Sequence, residues 1–299
     1  MKKNVFLTLM LLTLMVIVVY AQSEKDFETK TSDDGKSITI TRYKGNATTV
    51  RIPEKINNLP VVNIGKDAFI GDQYITSVII PDSVKSIEDG SERLKGAFAG
   101  CESLTSVTIG NSVISIGDNA FTYCESLESV TIPNSVKSIG KWSFAVCTSL
   151  TSVTIGNNVT SIKESAFREC TSLNNVTIGN SVTRIYGNAF RNCTSLNNIT
   201  IGKSVTSIDQ LAFDGCTNLT SIIIPASVTN IWDGAFRNCT SLNNVTFENG
   251  SNIRNADFGT VAFPEGKDGD GGNTLKTAYS TGKAGTYTRQ TNGSTWTKK

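Results

Sequence analysis

Seven cysteines stand at positions 101, 124, 147, 170, 193, 216 and 239, each 23 residues after the last. A fixed period of this length marks a stacked repeat, in which one short unit recurs along an axis. Other positions keep the same register. A phenylalanine lies three residues before every cysteine, from Phe98 to Phe236, and a leucine three after, from Leu104 to Leu242. Then come Val or Ile (Val107 to Val245), an apolar residue two further on (Ile109 to Phe247), and usually Gly or Pro. A Val (Val113 to Val228) and an Ile (Ile116 to Ile231) close the unit. An earlier copy begins at Ala68-Phe69 and carries Asp72 in the cysteine position, then Ile75, Val78, Ile80, Val84 and Ile87. A six-residue insertion within Glu88–Gly96 separates it from the next copy and reads as a surface loop.

The unit has a physical logic. Val107-x-Ile109 alternates apolar with polar, as a half-buried strand does. Gly110 or Pro133 turns the chain, and Val113 to Ile116 forms a second extended piece. Ala97-Phe98-x-x-Cys101-x-x-Leu104 has apolar spacing near three and reads as a helical or 3-10 turn. Coils stacked about 4.8 Å apart would align Phe, Cys, Leu, Val and Ile as internal ladders. No coil can bury its own apolar face, so stability resides in contacts between neighbours.

Composition excludes several kinds of chemistry. The 299 residues include no histidine, which removes imidazole-based nucleophile systems and imidazole metal sites. The balance of 28 basic to 26 acidic residues is far from that of a nucleic-acid binder. The sequence presents no P-loop and no metal-ligand cluster. Asp268-Gly-Asp270 resembles part of a calcium loop but lacks the remaining ligands and the closing Glu, so it reads as linker. No cofactor, metal or catalytic set is expected. Sequons such as Asn175-Val-Thr177 follow from repeat composition.

Residues 1–21 read as a signal peptide. Lys2 and Lys3 precede an apolar run from Val5 to Val19, broken by Thr8 and Thr13, and Val19-Tyr20-Ala21 offers a cleavage site. A membrane anchor is the competing reading, but the run falls short of the ~20 residues that span a bilayer. Residues 22–66 are expected to hold a lead and a cap, with the polar 22–35 disordered or a short lead and 36–66 the N-terminal cap; 67–248 hold the repeats, 249–263 a C-terminal cap and 264–273 a linker. The tail, 274–299, carries Tyr279, Tyr287 and Trp296, which fit either a small packed hairpin or a segment for export or anchoring. Seven stacked cysteines flanked by core Phe and Leu read as free buried thiols, because parallel Cβ vectors on adjacent coils are poorly set for disulfides.

Ile-Gly-Asp-Asn-Ala-Phe-Thr-Tyr-Cys-Glu-Ser-Leu at 116–127 and Cys-Thr-Ser-Leu-Asn-Asn-Val-Thr-Ile-Gly at 170–179 resemble the BspA-type leucine-rich repeats. The resemblance covers about residues 36–250, and the tail at 275–298 is similar to tails of treponemal members. It implies a right-handed leucine-rich-repeat solenoid, mainly parallel β with short helical or 3-10 turns. It also implies a secreted or cell-surface protein without catalysis, which adheres to host matrix proteins, epithelial cells or other bacteria. A structural role in envelope assembly, with no host ligand, is the alternative.

Where binding could occur follows from the repeat register. The residue between the strand Val and Ile points outward: Thr108, Thr131, Thr154, Thr177, Thr200, Ile223 and Thr246. With the preceding Ser and Asn positions they make an uncharged ladder of hydroxyls and amides. It reads as a solubilising β-surface or as an adhesive face for an extended protein or glycan. Tyr186 and Trp232 share the position after the repeat Ile, two units apart, and read as half-buried turn residues or exposed anchors. Arg168, Arg191 and Arg237 follow the repeat Phe, with Asp214 among them, and read as a solvated face or a mild basic stripe.

Overall fold

A computed structural model describes residues 22–90, 92, 95–254, 257–259, 261–264, 271–290 and 295–299. The signal-peptide segment, part of the insertion after Glu88, and Asp268 and Asp270 lie outside the described residues. The chain is a parallel β-solenoid, and each coil contributes two strands. The longer strands, such as Ser129–Ile132 and Ser152–Ile155, alternate exposed and buried residues. They pair in register, Val130 with Val153, Val153 with Val176 and Val176 with Ile199. The shorter strands, such as Ser138–Ile139 and Ser161–Ile162, form a second ladder. These two-residue strands follow from the Ser-Ile pair, which has one inward Ile and then a turn.

The 23-residue period stacks identical side chains. From Phe69 to Phe263 the ring centroids of successive coils lie 4.7–5.3 Å apart, with interplanar angles of 2–16°. Isolated aromatic pairs favour offset or tilted contacts. Here the rung spacing imposes near-parallel stacking. Each buried ring contributes about 1.5–3 kcal/mol by leaving water. At the N-terminal end Tyr43 stacks on Phe69 at 5.3 Å, and Phe27 leans on Tyr43 at 5.4 Å.

Threonine does more than clothe the surface. The hydroxyls of Thr148, Thr171, Thr194 and Thr217 each donate to the carbonyl 23 residues earlier, at 3.3–3.4 Å. Thr160, Thr183, Thr206 and Thr229 do the same at 3.0–3.4 Å. Each coil thereby satisfies carbonyls of the coil beneath it.

The Phe corner is built from i→i+3 bonds, such as Cys101 N–H to the Phe98 carbonyl at 3.3 Å and Leu104 N–H to the Cys101 carbonyl at 3.0 Å. It does not run on as a helix, because residues two before and two after the Phe are left-handed. Asn188 and Asn192 (φ 58° and 60°) and Gly234 and Asn238 (φ 67° and 59°) suit such positions. Trp142, Val146 and Leu211 occupy the same positions with φ of 57°, 61° and 59°. For Val146 in particular that conformation is strained.

Both ends are closed. Phe27–Thr31 pairs antiparallel with Ile38–Tyr43, which pairs in parallel with Leu59–Ile64 and so joins the solenoid. The polar lead is therefore structured, with Phe27 supplying the apolar contact. At the other end Asn244–Phe247 pairs antiparallel with Gly285–Thr288, which pairs with Thr297–Lys298. A helix, Gly271–Gly282, begins inside the stretch read as linker. Its Tyr279 lies 4.5 Å from Phe247 and 5.6 Å from Phe258. In the tail the structure shows a hairpin packed on the last coil. Arg289 is buried there, its Nε donating to the Leu242 carbonyl at 2.7 Å and an Nη to the Thr240 carbonyl at 3.3 Å. At Thr240 it takes over an acceptor that earlier coils offer to the next one, as the Thr217 carbonyl does to the Ser241 N–H. No helix among the described residues is long and apolar enough to cross a membrane.

Candidate functional site

The strand face assembles the outward column as the alternation requires. Thr131, Thr154, Thr177 and Thr200 stand side by side in register, and all are exposed. Thr108 is exposed below them. The hydrogen-bonded sheet stops at Asn198–Thr200, and a second sheet starts at Ser221–Ile224. Ile223, 56% exposed, therefore stands on the second sheet, paired with Thr246. The Thr246 hydroxyl bonds to that of Thr286 at 3.0 Å, so the tail covers the far end of the column.

A different side of the coil carries the aromatics. Tyr186, Asp209 and Trp232 occupy one position on three successive coils, after the short strands. Tyr186 is half-buried beneath the Arg184 guanidinium, 4.7 Å from its ring centroid. Arg184 Nε reaches both carboxylate oxygens of Asp209, at 2.8 and 3.1 Å. Ser207 donates to Asp209 at 2.8 Å and accepts from the Trp232 indole N–H at 3.1 Å. Trp232 is nevertheless 51% exposed. Sequence spacing pairs the two aromatics but does not reveal Arg184 or Asp209, which meet only because adjacent coils stack.

The arginines on the Phe corner are tied down rather than free. Buried Asp214 takes Arg191 at 3.0 Å, Arg237 at 3.2 Å and the Asn238 amide at 2.9 Å. Arg168 pairs with Glu169 at 2.9 Å and lies over the Trp142 ring at 5.2 Å.

All seven cysteines are free and buried. Each donates its S–H to the carbonyl of the Phe in the preceding coil, as Cys124 does to Phe98 at 3.2 Å and Cys239 to Phe213 at 3.1 Å. A small, buried residue with a weak donor suits this position. Burial pushes the Cys101 and Cys170 thiols up to about 12 and Cys124, Cys147, Cys193 and Cys216 well above the usual 9.0. Alkylation of the native protein at pH 8 should leave all seven unmodified, and alkylation in denaturant without reductant should modify all seven. A lower count by mass spectrometry would reveal a disulfide. No cluster among the described residues is placed to hold a metal ion.

The family described as "BspA type Leucine rich repeat region" matches the chain in six copies, over residues 42–92, 62–196 and 161–263. Among solved structures, a T. pallidum leucine-rich repeat protein is 27% identical, with 75% of this chain and 91% of that one covered at a TM-score of 0.55. A leucine-rich repeat protein from Bacteroides capillosus is 34% identical over 45% of this chain and 96% of its own, at a TM-score of 0.39. A leucine-rich cell surface protein from Faecalibacterium prausnitzii is 24% identical over 77% and 95%, at 0.38. No curated protein matches.

Proposed function

The chain belongs to the BspA-type leucine-rich repeat family, and we propose that it is an exported, non-catalytic protein whose strand face adheres to a protein partner. The observation that carries this reading is the column Thr131, Thr154, Thr177 and Thr200, exposed and in strand register on a rigid array. An extended polypeptide laid along it meets a hydroxyl at every rung, about 4.8 Å apart, with no charge to desolvate. Such contacts are weak singly and gain from many copies at a cell surface.

The test is adhesion of residues 22–299 to matrix proteins and epithelial cells, against the triple variant Thr154→Lys, Thr177→Lys, Thr200→Lys. Three stacked ammonium groups on adjacent strands cost up to about 1 kcal/mol per pair. That leaves the fold intact while placing three desolvation penalties in the contact. Adhesion should fall at least tenfold with little change in melting temperature. Equal adhesion by a folded variant removes the strand face as the binding surface. Failure of the parent chain to adhere favours envelope assembly.

A further inference from the structure

We propose that the notch at Gly187, walled by Trp232, binds a neutral hexopyranose, such as the terminal sugar of a glycan. It lies on the corner after the short strands, on different residues from the threonine column. Along this corner one column of side chains runs Glu164, Gly187, Gln210 on successive coils. Gly187 contributes no side chain, so Glu164 and Gln210 stand two rungs apart, roughly 9.6 Å, with backbone as the floor between them. The resulting depression has a volume of about 330 Å³ and is lined by Glu164, Arg184, Asn188, Asp209, Gln210 and Trp232 around Gly187.

The lining has the chemistry of a sugar site. A pyranose presents an apolar face of C–H groups and a rim of hydroxyls that both donate and accept. Trp232 supplies the broad apolar surface, and its ring is held by the indole bond to Ser207. Arg184 is fixed through Nε by Asp209 and through its plane by Tyr186, so its Nη donors are preorganised. The amides of Asn188 and Gln210 can each give and take a hydrogen bond. Arg184 and Asp209 neutralise one another, and Glu164 disfavours an anionic ligand, so a neutral sugar fits better than a sialylated or sulfated one. No other coil repeats the arrangement. At the Trp232 position the earlier units carry Gly117, Gly140 and Lys163, and at the Gly187 position Asp118 and Lys141.

Residues 22–299 would be tested against polyvalent conjugates of galactose, mannose and N-acetylglucosamine, with a sialic acid conjugate for comparison. Methyl glycosides of the same sugars would be titrated against tryptophan emission. At least one neutral sugar should bind and perturb the emission. Trp232→Ala, which removes the stacking surface, and Gly187→Gln, which fills the notch, should each weaken binding at least tenfold. A Cβ at 187 would sit 3.2 Å from the Gln210 carbonyl oxygen, a tight contact that a small shift relieves. Gln210→Ala, a surface truncation, should weaken binding too and guards against misfolding of the other two. Binding that survives in any of these folded variants, absence of binding to all three neutral sugars, or preference for sialic acid overturns the proposal. The strand-face lysine variant should bind sugar as the parent does, so the two readings fail separately.

Discussion

A chain ending at residue 264 will not persist as a soluble monomer. The segment removed includes Leu275, Tyr279, Tyr287 and Trp296, all buried, and the strand that pairs with Asn244–Phe247. Truncating one buried aromatic to Ala costs about 3–5 kcal/mol. Losing three together with Leu275 is comparable with the whole stability of an ordinary domain, about 5–15 kcal/mol. The loss also bares Phe247 and Phe258 beside an unpaired strand edge, a template for association. Residues 22–264 should elute as aggregate in size-exclusion chromatography or melt at least 10 °C below residues 22–299. A monomer with the parent's melting temperature would show that the tail is an accessory to the fold. Arg289→Ala gives a graded version, with an expected loss of about 2–3 kcal/mol as the carbonyls of Leu242 and Thr240 lose their charged donor.

Above pH 9 the protein should become steeply less stable. Cys101, Cys124, Cys147, Cys170, Cys193 and Cys216 have thiols raised by burial, two of them to about 12, from an ordinary 9.0. Below pH 9 these thiols are neutral in both states and stability is full. Between pH 9 and 12 the unfolded chain releases protons that the folded chain retains, so stability falls as pH rises. Each thiol contributes about 1.4 kcal/mol per pH unit, and six together about 8 kcal/mol. Against a stability of about 5–15 kcal/mol, unfolding follows within about two pH units. Urea melts from pH 8 to 11 under reductant would measure the limb. The variant Cys147→Ala, Cys193→Ala should shed about two protons from its slope, whatever its starting stability. A flat profile over this range would refute buried neutral thiols.

The repeat was legible because contacts join like positions in neighbouring coils, so spacing alone aligns Phe121 with Phe144 and Val130 with Val153. Legibility ends where the spacing changes and the flanking pattern is lost with it. Tyr43 lies 26 residues before Phe69, and Phe263 lies 27 after Phe236, yet both extend the same stack. The left-handed corners were hidden because Trp142, Val146 and Leu211 stand where Asn or Gly would have announced a turn. The exposed threonine column was readable from alternation. The second role of threonine was not, since Thr171 and Thr194 reach the carbonyl of another coil. Tyr186 and Trp232 could be named from their register. Their setting depends on Arg184 and Asp209, 25 residues apart, whose pairing reflects side-chain reach across a rung rather than repetition.

The hydroxyl and thiol bonds to the preceding coil have an evolutionary consequence. Thr194 reaches Thr171 just as Thr171 reaches Thr148, and Cys193 meets Phe167 as Cys170 meets Phe144. A gene duplication or deletion that moves one whole 23-residue unit therefore rejoins every donor to an equivalent acceptor. Both caps travel intact, and the rod lengthens or shortens by about 4.8 Å. Mutation can thus adjust the length of this protein in discrete steps without having to invent a new interface.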